Sequence, residues 1–313
     1  MHAESDPDFE SPPAGCDAHF HVFGPAERYP YSQADLRYAP PLAPLEDFLA
    51  LAKKLGIERF VFVQPSAYGR DNRCMLDAMR EAGSKRCRGI VDIDENAPDA
   101  ELEGLHAAGV RGVRVNVPPV RPFEAGFAAR LLPRVERLRA RCAEIGWQLD
   151  FLTPGWLTAE LMPTLQQFNV AFTIAHFGLF QAKDGVNQPG FRMLLELLRR
   201  GERRCWVKLT GAYRVSAAGE FADVAPMARA LIEAAPERVI WGSDYPHLSF
   251  ADRVGSVGLW NLLGRWVPDE ATRKTILVDN PQRLFDNTQK LFDALLLFPA
   301  KEQLALDYFE WLP

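Results

Sequence analysis

Short runs of β-branched and apolar residues alternate along this chain with longer stretches whose apolar positions recur at helical spacing. That alternation is the pattern of a parallel sheet with crossover helices. The short runs fall at 15–23, 59–64, 87–92, 110–117, 147–152, 170–177, 205–210 and 238–244. In the second of them, Phe60-Val61-Phe62-Val63 is apolar at every position, as a strand covered on both faces must be. Helical periodicity marks 45–55, 71–82, 99–108, 123–145, 158–168, 189–200 and 220–235, and a last stretch at 269–285. Gly56, Gly83, Gly109, Gly146, Gly201 and Asn169 stand where a left-handed residue would end a helix before the next strand. Eight such units, with polar residues gathered at the strand ends, predict an α/β fold of one domain, a (β/α)8 TIM-like barrel. In such a barrel the chemistry sits at the C-terminal mouths of the strands.

The barrel accounts for residues 15–285. Residues 1–14 are polar, acidic and proline-containing, and read as a flexible tail. Residues 286–313 exceed what a barrel needs and include Phe292, Leu295, Phe298, Tyr308 and Trp311. Such an apolar extension is expected to pack on the barrel or on a partner subunit, so a homo-oligomer is open.

Hydrophobic residues at 48% and charged residues at 25% describe an ordinary globular protein. A net charge of −5 without a basic block speaks against nucleic acid as partner. The longest apolar run, 294–298, is far short of the roughly 20 residues a membrane helix needs, so no membrane association is expected. The first residues lack the profile of a signal peptide. Cys16, Cys74, Cys87, Cys142 and Cys205 show neither disulfide nor zinc-knuckle spacing. Both features fit buried thiols in a reducing cytoplasm.

The candidate chemistry lies in a few histidines. His19 and His21 are two residues apart at the end of the first strand, so both point to one side of the sheet. His176 ends the sixth strand and Asp244 the eighth. Closure of the barrel sets the eighth strand beside the first, which brings Asp244 to the two histidines. Three distant segments thus converge on one axial site, an arrangement that a structural role alone does not account for.

In these residues the chain resembles the amidohydrolase superfamily, whose barrels carry His-x-His on strand one, a histidine on strand six and an aspartate on strand eight. The stretches DAHFHVFGP, QPSAYGRDN, VRGVRVN, VKLTGAYR and WGSDYPH are similar to the amidohydrolase-2 branch, which holds pyrone-dicarboxylate hydrolases and sugar-acid lactonases. A binuclear metal centre of the superfamily needs a lysine on strand four and a histidine on strand five. Here those strands read Val113-Arg114-Val115-Asn116 and Trp147-Gln148-Leu149-Asp150-Phe151, and Lys208 falls on strand seven. The resemblance therefore implies a reaction without cofactor or metal. The alternative is a single zinc on His19, His21, His176 and Asp244, as in decarboxylases that share the fold.

Without a metal, Asp244 is the expected general base, and His19, His21 and His176 the groups that polarise a lactone carbonyl. Arg114 and Arg214 are candidates to hold a substrate carboxylate. Ser66, Asn116 and His247 at strand mouths are further candidate substrate contacts, and Tyr38, in a proline-bounded loop, is a candidate lid residue. The implied activity is hydrolysis of a small anionic lactone of the 2-pyrone-4,6-dicarboxylate kind, the alternative being a sugar-acid lactone such as a galactarolactone. The end of strand five, Phe151-Leu152-Thr153, lacks the tyrosine that the resemblance would place against a substrate carboxylate.

Overall fold

The computed structural model of the protein describes residues 6–32, 36, 38–200 and 204–286. Its strands are β1 (Cys16–Phe20), β2 (Arg59–Val63), β3 (Cys87–Val91), β4 (Val110–Asn116), β5 (Gln148–Leu152), β6 (Phe172–Ile174), β7 (Cys205–Leu209) and β8 (Val239–Trp241). They form one parallel eight-stranded sheet in sequence order. The helices are α1 (Leu45–Leu55), α2 (Arg73–Ala82), α3 (Asp99–Ala107), α4 (Phe127–Ile145), α5 (Gly155–Leu165), α6 (Pro189–Arg199), α7 (Ala212–Val215), α8 (Ala225–Ala234), α9 (Ser256–Trp266), α10 (Glu270–Lys274) and α11 (Asn280–Phe285). This is the (β/α)8 barrel the alternation predicts. No helix among the described residues is long and apolar enough to cross a membrane.

Two bonds close the sheet: the Asp244 amide donates to the His19 carbonyl, and the His21 amide donates to the Tyr245 carbonyl, each at 2.8 Å. The Asp17 carboxylate reinforces the seam by accepting from the amides of His19 at 3.0 Å and Ser243 at 3.1 Å. Phe20 stacks on Phe48 of α1 with ring centroids 3.5 Å apart, so the neighbouring His19 and His21 point the other way, into the barrel. Val61 and Val63 likewise point opposite to Phe60 and Phe62, and with Ile90, Ile240, Leu284 and Phe285 they belong to a small apolar cluster separate from the large core.

The structure departs from the sequence expectations at the edges of elements. β6 and β8 stop at Ile174 and Trp241, because His176 and Asp244 take positive φ angles of 50° and 57° that no strand accommodates. Gly56, Gly83, Gly109 and Gly146 have positive φ as expected, but Asn169 does not. Helix α5 already ends at Leu165 with a right-handed cap at Gln166. Within the expected tail of residues 1–14, the described residues 6–14 touch helix α9. Phe9 stacks on Trp260 of α9 at 4.4 Å, and the Asn261 amide side chain bonds both Asp8 and Asp6. A long polar segment holds one aromatic residue that an apolar helix face can bury. Gly201 and the 287–313 part of the apolar extension lie outside the described residues. All five cysteines are free and buried.

Gly242 tests the seam. A Cβ there would lie 2.6 Å from the His19 nitrogen and 2.7 Å from its Cβ, whereas one at Gly104 would meet nothing within 4 Å. Gly242→Ala is expected to cost about 1–3 kcal/mol through overpacking, and Gly104→Ala, inside α3, to gain about 0.5–1 kcal/mol. Denaturant midpoints measure both. Equal midpoints for the two variants would contradict the close approach at the seam.

Candidate active site

The residues brought together are His19, His21, His176, Asp244 and Arg214. Their backbones are fixed in different ways. His19 and His21 flank the closing bonds of β1, while His176 and Asp244 sit in left-handed turns directly after β6 and β8. Non-glycine residues held at positive φ cost free energy and cluster at functional sites. Here Phe177, Leu179, His247 and Ser249 share the feature.

Around Asp244 the geometry is two-sided. Its Oδ2 accepts from the Tyr213 hydroxyl at 2.5 Å and from Arg214 Nε at 2.9 Å. Its Oδ1 is buried and accepts no hydrogen bond. That oxygen faces His19 Nε2 and His21 Nε2, both at 3.6 Å, and His176 Nε2 lies 3.9 Å from Oδ2. All four residues are almost fully buried. Burial alone would raise the Asp244 carboxyl, but Arg214 and the histidines outweigh it and hold it well below the usual carboxylate range. Burial pushes the histidines down, His176 to about 3, and the Lys208 ammonium adds to this at His19. The site at neutral pH is therefore an ionised carboxylate among neutral imidazoles.

The second nitrogen of each imidazole decides what the first presents. His21 Nδ1 lies 2.7 Å from the Val63 carbonyl, which only accepts, so the proton is on Nδ1 and neutral His21 shows a bare Nε2. His19 Nδ1 lies 3.2 Å from Lys208 Nζ. An ammonium only donates, so His19 carries its proton on Nε2. His176 Nδ1 meets the Thr210 hydroxyl at 2.7 Å. The three imidazoles are thus not equivalent, contrary to the expectation that all three polarise a carbonyl through N–H groups.

The same contacts test the zinc alternative. Donor atoms of His19, His176 and Asp244 lie within 4.8 Å of one another, close enough to share an ion. A metal-bound histidine turns its other N–H toward a carboxylate, carbonyl or water. His21 obeys that rule, but His19 turns its other nitrogen to an ammonium and so offers no lone pair at Nε2. The donor set does not fit a metal at His19.

The remaining expected contacts are arranged around this centre. Arg114 is buried, donates to the Gln64 carbonyl at 2.6 Å and holds its Nε 4.0 Å from Asp150. The Tyr38 and Ser66 hydroxyls meet at 3.3 Å, which ties Tyr38 to the mouth of β2. His247 donates or accepts with Ser256 at 2.8 Å and lies against the Tyr213 ring. Asn116 Oδ1 is buried without a partner. Sequence reasoning missed Tyr213, Thr210 and the pair of Lys208 with Asp150. The available signal was parity: Lys208 alternates with apolar Val207 and Leu209 in a strand covered on both faces.

The family profile described as amidohydrolase matches residues 16–286. A 4-sulfomuconolactone hydrolase of Hydrogenophaga intermedia is 40% identical, over 88% of this chain and 90% of that protein. A 2-pyrone-4,6-dicarboxylate hydrolase of Comamonas testosteroni is 33% identical, over 90% and 93% of the two chains. Among solved structures, an Agrobacterium tumefaciens protein in its apo form superposes with a TM-score of 0.78 at 30% identity, covering 90% of this chain and 98% of its own.

Buried neutral histidines make stability depend on pH. Burial lowers His106 and His176 to about 3 and His247 to about 4, from 6.5. A depressed histidine binds its proton in the unfolded chain first, so its contribution is complete above pH 6.5 and is lost as the pH falls toward the folded value. Asp17, raised by burial to about 7 from 3.8, runs the other way, but it is one group against three. Each histidine is expected to cost on the order of 2 kcal/mol between pH 6.5 and 5. The urea midpoint should therefore drop between pH 7.5 and 5, and a midpoint that holds or rises would contradict the neutral assignment.

Proposed function

The chain belongs to the amidohydrolase family, and from that premise we propose that it hydrolyses a small anionic lactone without a metal. The observation that carries this reading is the Oδ1 of Asp244, buried, free of hydrogen bonds and faced by two imidazole nitrogens at 3.6 Å. An oxygen so placed needs a partner, and a water molecule supplies one.

Asp244 Oδ1 and the bare Nε2 of His21 are two acceptors that meet at one point. A water donating to both has its oxygen lone pair free for attack on the lactone carbonyl. As the new C–O bond forms, Asp244 takes the water proton, and the developing oxyanion is met by the Nε2–H of His19 together with His176. Collapse breaks the ring C–O bond. The departing ring oxygen takes the proton back from Asp244, leaving an open-chain hydroxy acid or its keto tautomer. An ester leaving group suits this site, which offers no strong separate acid.

Arg214 spends Nε on Asp244, and its remaining N–H groups face a substrate anion together with Arg114. The relatives support an anionic ring but not one anion, since by name one opens a sulfonated and the other a dicarboxylated lactone. The higher identity to the former favours a ring that carries a sulfonate as well as a carboxylate, and the tyrosine absent after β5 fits a changed anion contact there.

A pH-indicator screen of muconolactones, pyrone carboxylates and aldonolactones, run with a chelator, tests the assignment. Ring opening of an anionic lactone that persists under chelation is expected. Failure with every lactone, or chelator-sensitive activity restored by zinc, would refute it. Asp244→Asn should lower kcat by about 10²–10⁴-fold, the range for a general base. Tyr213→Phe removes a donor to the ionised carboxylate and so raises its pKa. The acid limb of kcat is then expected to move to higher pH, and an unmoved limb would mean that Asp244 does not govern it.

A further inference from the structure

Beneath the site lies a buried ion pair that the mechanism above does not use. Lys208 of β7 and Asp150 of β5 are both fully buried, and Lys208 Nζ contacts Asp150 Oδ2. The Thr173 hydroxyl donates to the same oxygen at 2.7 Å. Burial works against Asp150 ionising, but Lys208 and Arg114 outweigh it and keep it a carboxylate. Burial also pushes the Lys208 ammonium down, and Asp150 acts against that; with a carboxylate in contact with its Nζ, the ammonium keeps hydrogens to spare, and one of them reaches His19 Nδ1 at 3.2 Å.

We propose that Lys208, held by Asp150, is a positioning residue that fixes His19 in the tautomer with its proton on Nε2 and so makes it a permanent hydrogen-bond donor toward the reacting carbonyl. A neutral imidazole has two tautomers of similar free energy, and only the one with Nε2–H can stabilise an oxyanion at the site centre. An acceptor beside Nδ1, as Val63 is for His21, would select the wrong one. The carrying juxtaposition is a cation where histidines in such sites ordinarily meet an acceptor. It rests on the lactone-hydrolase reading for its catalytic consequence, but not for the tautomer itself.

The experiment is ¹⁵N spectroscopy of protein labelled at its six histidines, with the His19 signals assigned by their loss in His19→Gln. Wild type is expected to show a protonated Nε2 and an accepting Nδ1 at His19. A protonated Nδ1 overturns the proposal whether or not any lactone is turned over. Because either single change strands a buried charge and invites unfolding, the variant to use is the double Lys208→Met, Asp150→Asn, compared with wild type. Both charges leave together, and an unchanged denaturant midpoint shows that the fold is kept. Relative to wild type, the double variant should lose the fixed Nε2–H signature, and its kcat should fall roughly 10- to 100-fold with KM within about threefold, less than outright loss of an oxyanion donor. A folded double variant with the wild-type tautomer, or with the wild-type kcat, would reduce the pair to a purely structural role and overturn the proposal. If the tautomer behaves as expected but no lactone is opened, the hydrolase reading fails and the positioning of His19 stands.

Discussion

Everything at the site depends on how the barrel closes. The two backbone bonds that join β8 to β1 have as their partners His19, His21, Asp244 and Tyr245. The seam of the sheet and the candidate site are therefore the same piece of backbone. Closing the sheet sets Asp244 Oδ1 at 3.6 Å from both imidazoles, without a loop to order or a side chain to recruit. The cost is local. A left-handed Asp244, a glycine at 242 that tolerates no side chain, and an Asp17 buried to serve two amides are all terms that only a completed barrel compensates.

Placing a carboxylate in that seam raises an electrostatic problem that the surrounding residues solve in layers. An isolated buried aspartate would be protonated and useless as a base. Arg214 and Tyr213 take one of its oxygens and hold the charge there, leaving the other bare. The histidines that face the bare oxygen are kept neutral by burial and, for His19, by an ammonium at its back. Lower in the barrel Asp150 balances Lys208 and part of Arg114. The interior thus holds a column of alternating charge. Each member is tolerable only because of the next.

Much of this was legible in the sequence, for reasons that differ from element to element. The eight strands announce themselves because buried parallel strands are apolar throughout, and the glycines at 56, 83, 109 and 146 mark helix ends by a steric rule. The convergence of His19, His21, His176 and Asp244 follows from parity and closure alone. What stayed hidden were partners rather than residues. Nothing in the letters says that Val63 offers His21 a carbonyl while Lys208 offers His19 an ammonium, since these depend on the register of three strands. Arg214 reads as a substrate contact, yet its Nε is committed to Asp244. Helix α9 also escaped notice, although Val257, Trp260 and Leu263 have helical spacing, because its role is to cover Phe9 and carry Ser256 to His247.

The division between seam and loops bears on how one kind of centre, on the proposed reading, could serve relatives named for differently charged rings. The residues proposed to do the bond-making stand in β1 or just after the ends of β1, β6 and β8, whereas Tyr38 comes from the longer segment between β1 and α1. Loops change readily while a closed barrel does not. Relatives whose names carry a sulfonate and a dicarboxylate retain 40% and 33% identity across nearly the whole chain. In the proposed reaction the carbonyl and its attacking water sit between Asp244 and the histidines, and the backbones of Asp244, His19 and His21 form the seam and leave little room for change. The charged end of the proposed substrate has no such constraint, and it is there, among the candidate contacts Arg114, Arg214 and Tyr38, that discrimination between anions has room to evolve.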